Sequence, residues 1–365
     1  MEISGAANGW SETDEEFRNQ APQSLQDDVA DFVDDADSDN DLLNEVKQEY
    51  QQEVNAANQL HTLRTTLFSA FEHNGALVKD TEWSLQHTMF LRDQPAGPAD
   101  LFVAESSDHR TMIILSLVKV ESAERCYERI QSLLEYVANN VQSIEQGTAA
   151  GIDSNGVEGV VAISGLSGPE IVNEFDYSSQ DGPVSVWELE SGEAETITVV
   201  ESPQVDNWSW HVPSGTLGDL LRSRPEIADR EHLSIDKFLD SHHERLLRHL
   251  PTYLHKTRSD DEKPDTHFSR TELVNMLKSA KGAPNRNAAS PRADNLIKWW
   301  RHVGIIGKVS SSDEYSDDAE VYTFGAAMPN SRRITIDEFI ENYRDKVYRA
   351  LLKKSKQEEF LNSEN

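Results

Sequence analysis

The chain is short of cysteine, of basic residues and of long apolar runs, and each shortage closes off a class of protein. Cys126 is the only cysteine in 365 residues, so no internal disulfide can form. It falls beside Ile130 in a helical pattern, the setting of a buried core thiol. No uninterrupted apolar stretch is long enough to span a bilayer. The first residues lack the basic-then-apolar pattern of a secretory signal, and a soluble, cytoplasmic protein is expected. Also missing are a Walker-type glycine loop, a dinucleotide fingerprint and a nucleophile elbow, which leaves ATPases, kinases and hydrolases of those common kinds unsupported. Lys and Arg total 34 against 65 Asp and Glu, a net charge of −31 at pH 7, and the pI is about 4.7. The acidic excess extends well beyond the first segment. That favours a halophilic host, where salt screens self-repulsion and carboxylates keep the surface hydrated; ordinary acidic tails are the alternative. In a saline cytoplasm the overall charge does not count against nucleic-acid binding, and local basic patches decide.

What is present divides into four parts. Residues 1–40, with "QDDVADFVDDADSDNDLL", are expected to be an acidic, partly disordered arm, because like charges repel and few apolar residues are available for a core. Leu42, Leu43, Val46, Val54, Leu60, Leu63, Leu67 and Phe71 predict a helix over 41–71 that stops near Asn74-Gly75. Apolar or β-branched runs at 76–78, 100–104, 111–120, 157–164, 184–190 and 196–200 then predict an α/β domain, with a helix over 122–144. Strand, long helix and strand make a βαβ unit with a right-handed crossover, and "MIILSLV" reads as a strand buried on both faces. The first two elements together give a domain over 41–200. A helical connector follows over 201–263, with helices near 216–224 and 234–256. The last part, 264–365, opens on Ser269 and Glu272, a capping-box spacing. Ser290-Pro291 begins a helix, "KVSSSDEYSDDAEVYTF" reads as strand, turn and strand, and a helix over 335–355 carries Phe339, Tyr343, Val347 and Leu351. The whole is α/β in its middle and α+β overall.

Two stretches carry candidate chemistry. Between 278 and 308 lie Lys278, Lys281, Arg286, Arg292, Lys298, Arg301 and Lys308, opposed only by Asp294, a local reversal of sign. Helix, loop, helix and hairpin over 268–325, with "TELVNMLK", "PRADNLIKWWRHVGII" and the hairpin above, resemble the winged helix-turn-helix family. The resemblance implies a recognition helix within "PRADNLIKWWRHVGII", with Leu296, Trp299 or Trp300, and Ile305 inward. It implies DNA binding by Lys281, Arg286, Arg292, Lys298 and Arg301, since cations answer phosphates and such a helix fits the major groove. Arg292, at the N-terminal end, is the candidate for a guanine edge. The acids Asp313, Glu314, Asp317 and Asp318 in the wing act against this, and a winged helix used for protein contact or dimerisation is the alternative.

The second stretch has Asp100 at the head of a strand in "GPAD" and Lys119 at the end of the next in "LVK". It resembles the restriction-endonuclease-like nucleases, whose signature is a carboxylate, a strand, then Asp or Glu, any residue, and Lys. Leu117 stands where the second acid belongs. The resemblance covers about 60–200 and implies Asp100 as a catalytic residue and metal ligand, Lys119 as a catalytic residue and Glu72 as a helix carboxylate. A carboxylate moved to the following helix makes Glu121, Glu124 or Glu128 the replacement, with Glu124 taken as catalytic. No cofactor is expected unless that site is intact, and then it is Mg²⁺.

Smaller signals are the histidines His242, His243, His249 and His255, read as solvated and not as a zinc site, and Trp208 and Trp210, read as an interdomain contact and less readily as a base-stacking platform. The expected protein is a non-catalytic binder of double-stranded DNA, acting in regulation, defence or the upkeep of mobile or viral DNA, as a homodimer or with a protein partner. An active Mg²⁺-dependent DNA endonuclease and a protein-docking component are the alternatives.

Overall fold

A computed structural model describes residues 13–36, 40–71, 83–91, 99–106, 111–117, 157–164, 184–191, 195–199, 216–223, 225–228, 241–258, 267–279, 289–309, 320–324 and 335–363, and residues 77, 81 and 139 singly. The fold is mixed α and β. No helix of the described residues is long and apolar enough to cross a membrane. The chain makes two compact units, one of Met1–Asn55, Leu239–Ser279 and Arg286–Asn365, the other of Ala56–Phe238 and Ala280–Asn285. The described residues 13–36, expected as part of the acidic arm, fall in the unit that also holds the C-terminal part.

The second unit is built on a seven-stranded sheet whose strands lie in chain order: β1 (Trp83–Leu91), β2 (Ala99–Ser106), β3 (Thr111–Leu117), β4 (Val157–Ser164), β5 (Val184–Ser191), β6 (Glu195–Val199) and β7 (Glu226–Ala228). Only β3–β4 and β4–β5 pair parallel. Parallel neighbours need a crossover; residues 118–156, with the helix expected at 122–144, lie almost wholly outside the described residues. The apolar run of β3 is paired on both sides, antiparallel to β2 and parallel to β4. Buried Val160, Ala162, Trp187, Leu189 and Ile197 belong to the strands that follow.

The first unit is mostly helical. Residues 13–20 form α1, followed by α2 (Gln23–Asp35) and the start of α3 (Asp41–Phe71). The later elements are α5 (His243–Thr257; α4 is Thr216–Arg222, in the other unit), β8 (His267–Ser269), α6 (Arg270–Lys278), α7 (Ala289–His302), β9 (Gly307–Lys308), β10 (Val321–Thr323) and α8 (Ile336–Ser363). Strands β8, β10 and β9 make a second sheet in that order, with Val321 across from Ser269 and Tyr322 across from Lys308.

The expected disorder of residues 1–40 does not hold for 13–36. Phe17, Ala21, Val29 and Val33 are too few for a core of their own, but they find one on the last helix. Phe17 meets Phe360 edge-on at 5.7 Å, and Val33 packs with Leu43 and Leu352. Asp14 accepts from Lys353 Nζ (2.7 Å) and Gln357 Nε2 (2.9 Å). Burial pushes that carboxyl up, but the two hydrogen bonds together with the charges of Lys353 and Arg18 hold the group below its ordinary value. Arg349 Nη1 donates to the carbonyl of Val33 across 316 residues of chain.

Behind them lies a buried polar knot. Glu244, 6% exposed, accepts from Arg344 Nε (2.9 Å) and Nη2 (2.7 Å) and from the Tyr50 hydroxyl (3.2 Å). It thereby joins α3, α5 and α8. His243 sits among the rings of Trp299 (5.3 Å), Tyr343 (5.9 Å) and Tyr50 (6.1 Å). The charged surroundings in sequence predict a solvated histidine; it is 6% exposed, and burial drives its pKa well below the ordinary histidine value. His242 caps α5, its Nδ1 accepting from the Glu244 amide (3.3 Å).

Candidate nucleic-acid interface

Helix α6 begins where the sequence predicts. Glu272 N–H donates to Ser269 Oγ (3.2 Å) and Ser269 N–H to Glu272 Oε2 (2.7 Å), a complete capping box. Arg258 fixes the same turn, donating to Glu272 Oε1 (3.0 Å) and to the carbonyl of His267 (2.8 Å). Helix α7 ends at Gly304, whose φ of 68° suits glycine. Ile305 N–H reaches the Trp300 carbonyl (2.9 Å) and Gly304 N–H the Arg301 carbonyl (3.0 Å), the two bonds of a Schellman ending. Lys346 Nζ donates to the Gly304 carbonyl and ties this end to α8.

Between those ends α7 buries a broad face: Ala289, Arg292, Ala293, Leu296, Ile297, Trp299 and Trp300. Both tryptophans are core, and Trp299 Nε1 donates to the Tyr343 hydroxyl (2.8 Å). Ile305 is buried as expected. What remains is one stripe at helical spacing. Pro291, Lys298, Arg301 and His302 are exposed, and Ser290, Asp294 and Asn295 half-buried. On α6, Thr271, Asn275 and Lys278 form a second exposed stripe. A groove of about 680 Å³ between the two helices is lined by Asn275, Lys278, Ser290 and Pro291, with Arg270 and Asp294.

Among the described residues Lys278, Lys298 and Arg301 make no ion pair. The acids beside them are already answered. Arg270 Nε donates to Asp294 Oδ1 (2.6 Å) and Nη2 to Asp294 Oδ2 (2.8 Å) and Ser290 Oγ (2.6 Å). These bonds hold the Asp294 carboxyl below its ordinary value, and Lys298 adds to the effect; the Arg270 guanidinium is raised in turn. Lys308 pairs with Glu320 (3.3 Å).

Arg292 requires a correction. It does not stand at the helix end for a guanine edge: it is 6% exposed, and Nη2 donates to the Ser241 carbonyl (2.9 Å). The cause is helical phase. Arg292 lies one turn before Leu296 and two before Trp299, so the three share the apolar side. Lys281 and Arg286 lie outside the described residues, as do Asp313, Glu314, Asp317 and Asp318 of the wing. Arg270 escaped the sequence reading, although its place directly after a capping serine, with Asp294 the lone acid in a basic run, was a usable signal.

In the other candidate site, Asp100 lies in β2, paired with Phe90 of β1. Strands β2 and β3 pair from Glu105–Thr111 to Phe102–Ile114; Asp100 lies two residues before the last β2 residue of that ladder, and Leu117 is the last residue of β3. Lys119, Glu124, Glu121, Glu128 and Glu72 lie outside the described residues. No three His, Cys, Asp or Glu among the described residues, the histidines of α5 included, are grouped to hold a metal ion. Trp208 and Trp210 are outside the described residues. Comparison with protein-family models, curated proteins and solved structures gives no match for this chain.

Proposed function

We propose that residues 268–325, preceded by α5, act as a winged helix that binds double-stranded DNA, in a non-catalytic protein of a halophilic organism serving regulation, defence or maintenance of mobile or viral DNA. The order α5, β8, α6, α7, β9, β10, with a sheet in the order β8-β10-β9, supports the winged-helix reading, in which α7 would be the recognition helix. One observation carries the DNA reading. Lys278, Lys298 and Arg301 are exposed and free of ion pairs among the described residues, on neighbouring helices of a chain with a net charge of −31. In so acidic a protein, exposed cations without an ion pair on two packed helices suit an outside polyanion.

The test is fluorescence anisotropy of a labelled duplex across a potassium chloride series. Wild type should bind, and its affinity should fall as salt rises; Lys298→Ala should reduce the salt slope by about one unit. Absence of binding at every salt concentration would move the function to protein docking. A nuclease remains the second reading, because the strand of Asp100 lies between β1 and β3, with β4 parallel to β3. Adding Mg²⁺ or Mn²⁺ to the same duplexes separates the two: cleavage lost in Lys119→Ala would establish the nuclease.

A further inference from the structure

Asp294 and Lys298 stand four residues apart on α7, the acid on the N-terminal side, which is the favourable order for an intrahelical ion pair. That pair is not made. Asp294 instead gives both carboxylate oxygens to Arg270, at 2.6 and 2.8 Å. Arg270 comes from the first turn of α6 and also holds Ser290 in the first turn of α7 at 2.6 Å. An arginine fork satisfies two oxygens at fixed geometry, which one lysine cannot match. The competition therefore goes to Arg270, and Lys298 is left exposed with no ion pair among the described residues.

We infer that Arg270 is a positioning residue for the DNA contact: by holding Asp294 it prevents that carboxylate from capturing Lys298 and leaves Lys298 free for a phosphate. The inference rests on the DNA-binding reading above. Without Arg270, the face offered to phosphate carries a bare carboxylate and its lysine turns inward along the helix. Without Asp294, Lys298 has no competitor and Arg270 becomes available as a further cation. A bond that served only to seat α7 on α6 predicts something else: either substitution would loosen the helix, and combining them would repair nothing.

The test uses the full chain and a fluorescein-labelled mixed-sequence duplex, with anisotropy titrations in a potassium chloride series. Arg270→Ala should weaken binding by about fivefold, the size of one exposed charge contact, and lose about one unit of salt slope, as Lys298→Ala does. Asp294→Asn should bind at least as tightly as wild type. The Arg270→Ala/Asp294→Asn pair should return to wild-type affinity and slope. A double variant as weak as Arg270→Ala overturns the inference, as does weakened binding by Asp294→Asn. If Arg270→Ala fails to fold by circular dichroism, the Asp294→Asn result decides alone. Binding by wild type with no rescue removes this inference and leaves the DNA reading standing; no binding by wild type removes both.

Discussion

Replacing Arg344 with alanine strands the Glu244 carboxylate. That group is 6% exposed, and two of its three hydrogen bonds come from the Arg344 fork, at 2.9 and 2.7 Å. The remaining one, from Tyr50 at 3.2 Å, is a neutral donor and cannot balance a buried charge. Removing one partner of a buried ion pair costs about 3–5 kcal/mol. By comparison, the exposed pair Arg248–Asp337, at 2.8 Å with side chains 43% and 75% exposed, contributes at most about 1 kcal/mol. The shortest contacts are alike, 2.7 and 2.8 Å; the second bond of the Arg344 fork and above all its burial separate the two pairs. Urea unfolding in potassium chloride, followed by far-ultraviolet circular dichroism, should show the difference. With a slope of about 2 kcal/mol/M, Arg344→Ala should lower the midpoint by roughly 2 M, and Arg248→Ala by less than about 0.5 M. Combining Arg344→Ala with Glu244→Gln removes the stranded charge and should recover more than half of the loss. Equal effects of the two arginine variants, or no recovery in the combination, would refute the reasoning.

Three further outcomes are expected. His243 is neutral in the fold because burial lowers its pKa, while the unfolded chain takes a proton near the ordinary value; stability should therefore fall as pH drops from about 7 to about 5, and less steeply in His243→Leu. Gly304→Ala should cost about 1–2 kcal/mol in the same urea assay, because an L side chain is strained at a φ of 68° although nothing nearer than Lys346 Nζ at 3.8 Å crowds a Cβ there. The melting temperature should rise from dilute to molar potassium chloride, since screening relieves the repulsion of an excess of 31 negative charges; a flat or falling curve would count against a halophilic origin.

Where one stretch of sequence settled its own structure, the pattern was legible. The helix Asp41–Phe71 has the predicted limits, the Ser269–Glu272 capping box is formed, and the runs of β2 to β6 are strands. Strand β1 was missed because its pairing with β2 shifts register between Leu85 and His87, which breaks the alternation a strand reading depends on. Strand β8 is three residues long and shows no period. The helices of 13–36 take their apolar partners from the far end of the chain, which composition cannot show. At the candidate interface, counting charge found the cationic stretch but misplaced Arg292. Helical phase, with Leu296 and Trp299 on the same side, would have placed it inward.

The first unit holds both its earliest and its latest described elements, α1 and α8. During synthesis α1 and α2 emerge before their binding surface exists, and roughly 300 residues must be translated before α8 follows, about 15–60 s at about 5–20 residues per second. Through that interval Phe17, Val29 and Val33 have only near neighbours in sequence such as Leu25 and Leu43 to pack on, and lack Leu352, Phe360 and Leu361, which complete their clusters in the finished fold. The intervening sheet unit has its own residues complete well before then. The acidic side chains around those apolar positions, Asp27, Asp28, Asp31, Asp34 and Asp35, put like charges on a segment whose apolar face is still incompletely covered, which opposes its self-association before the partner helix is made.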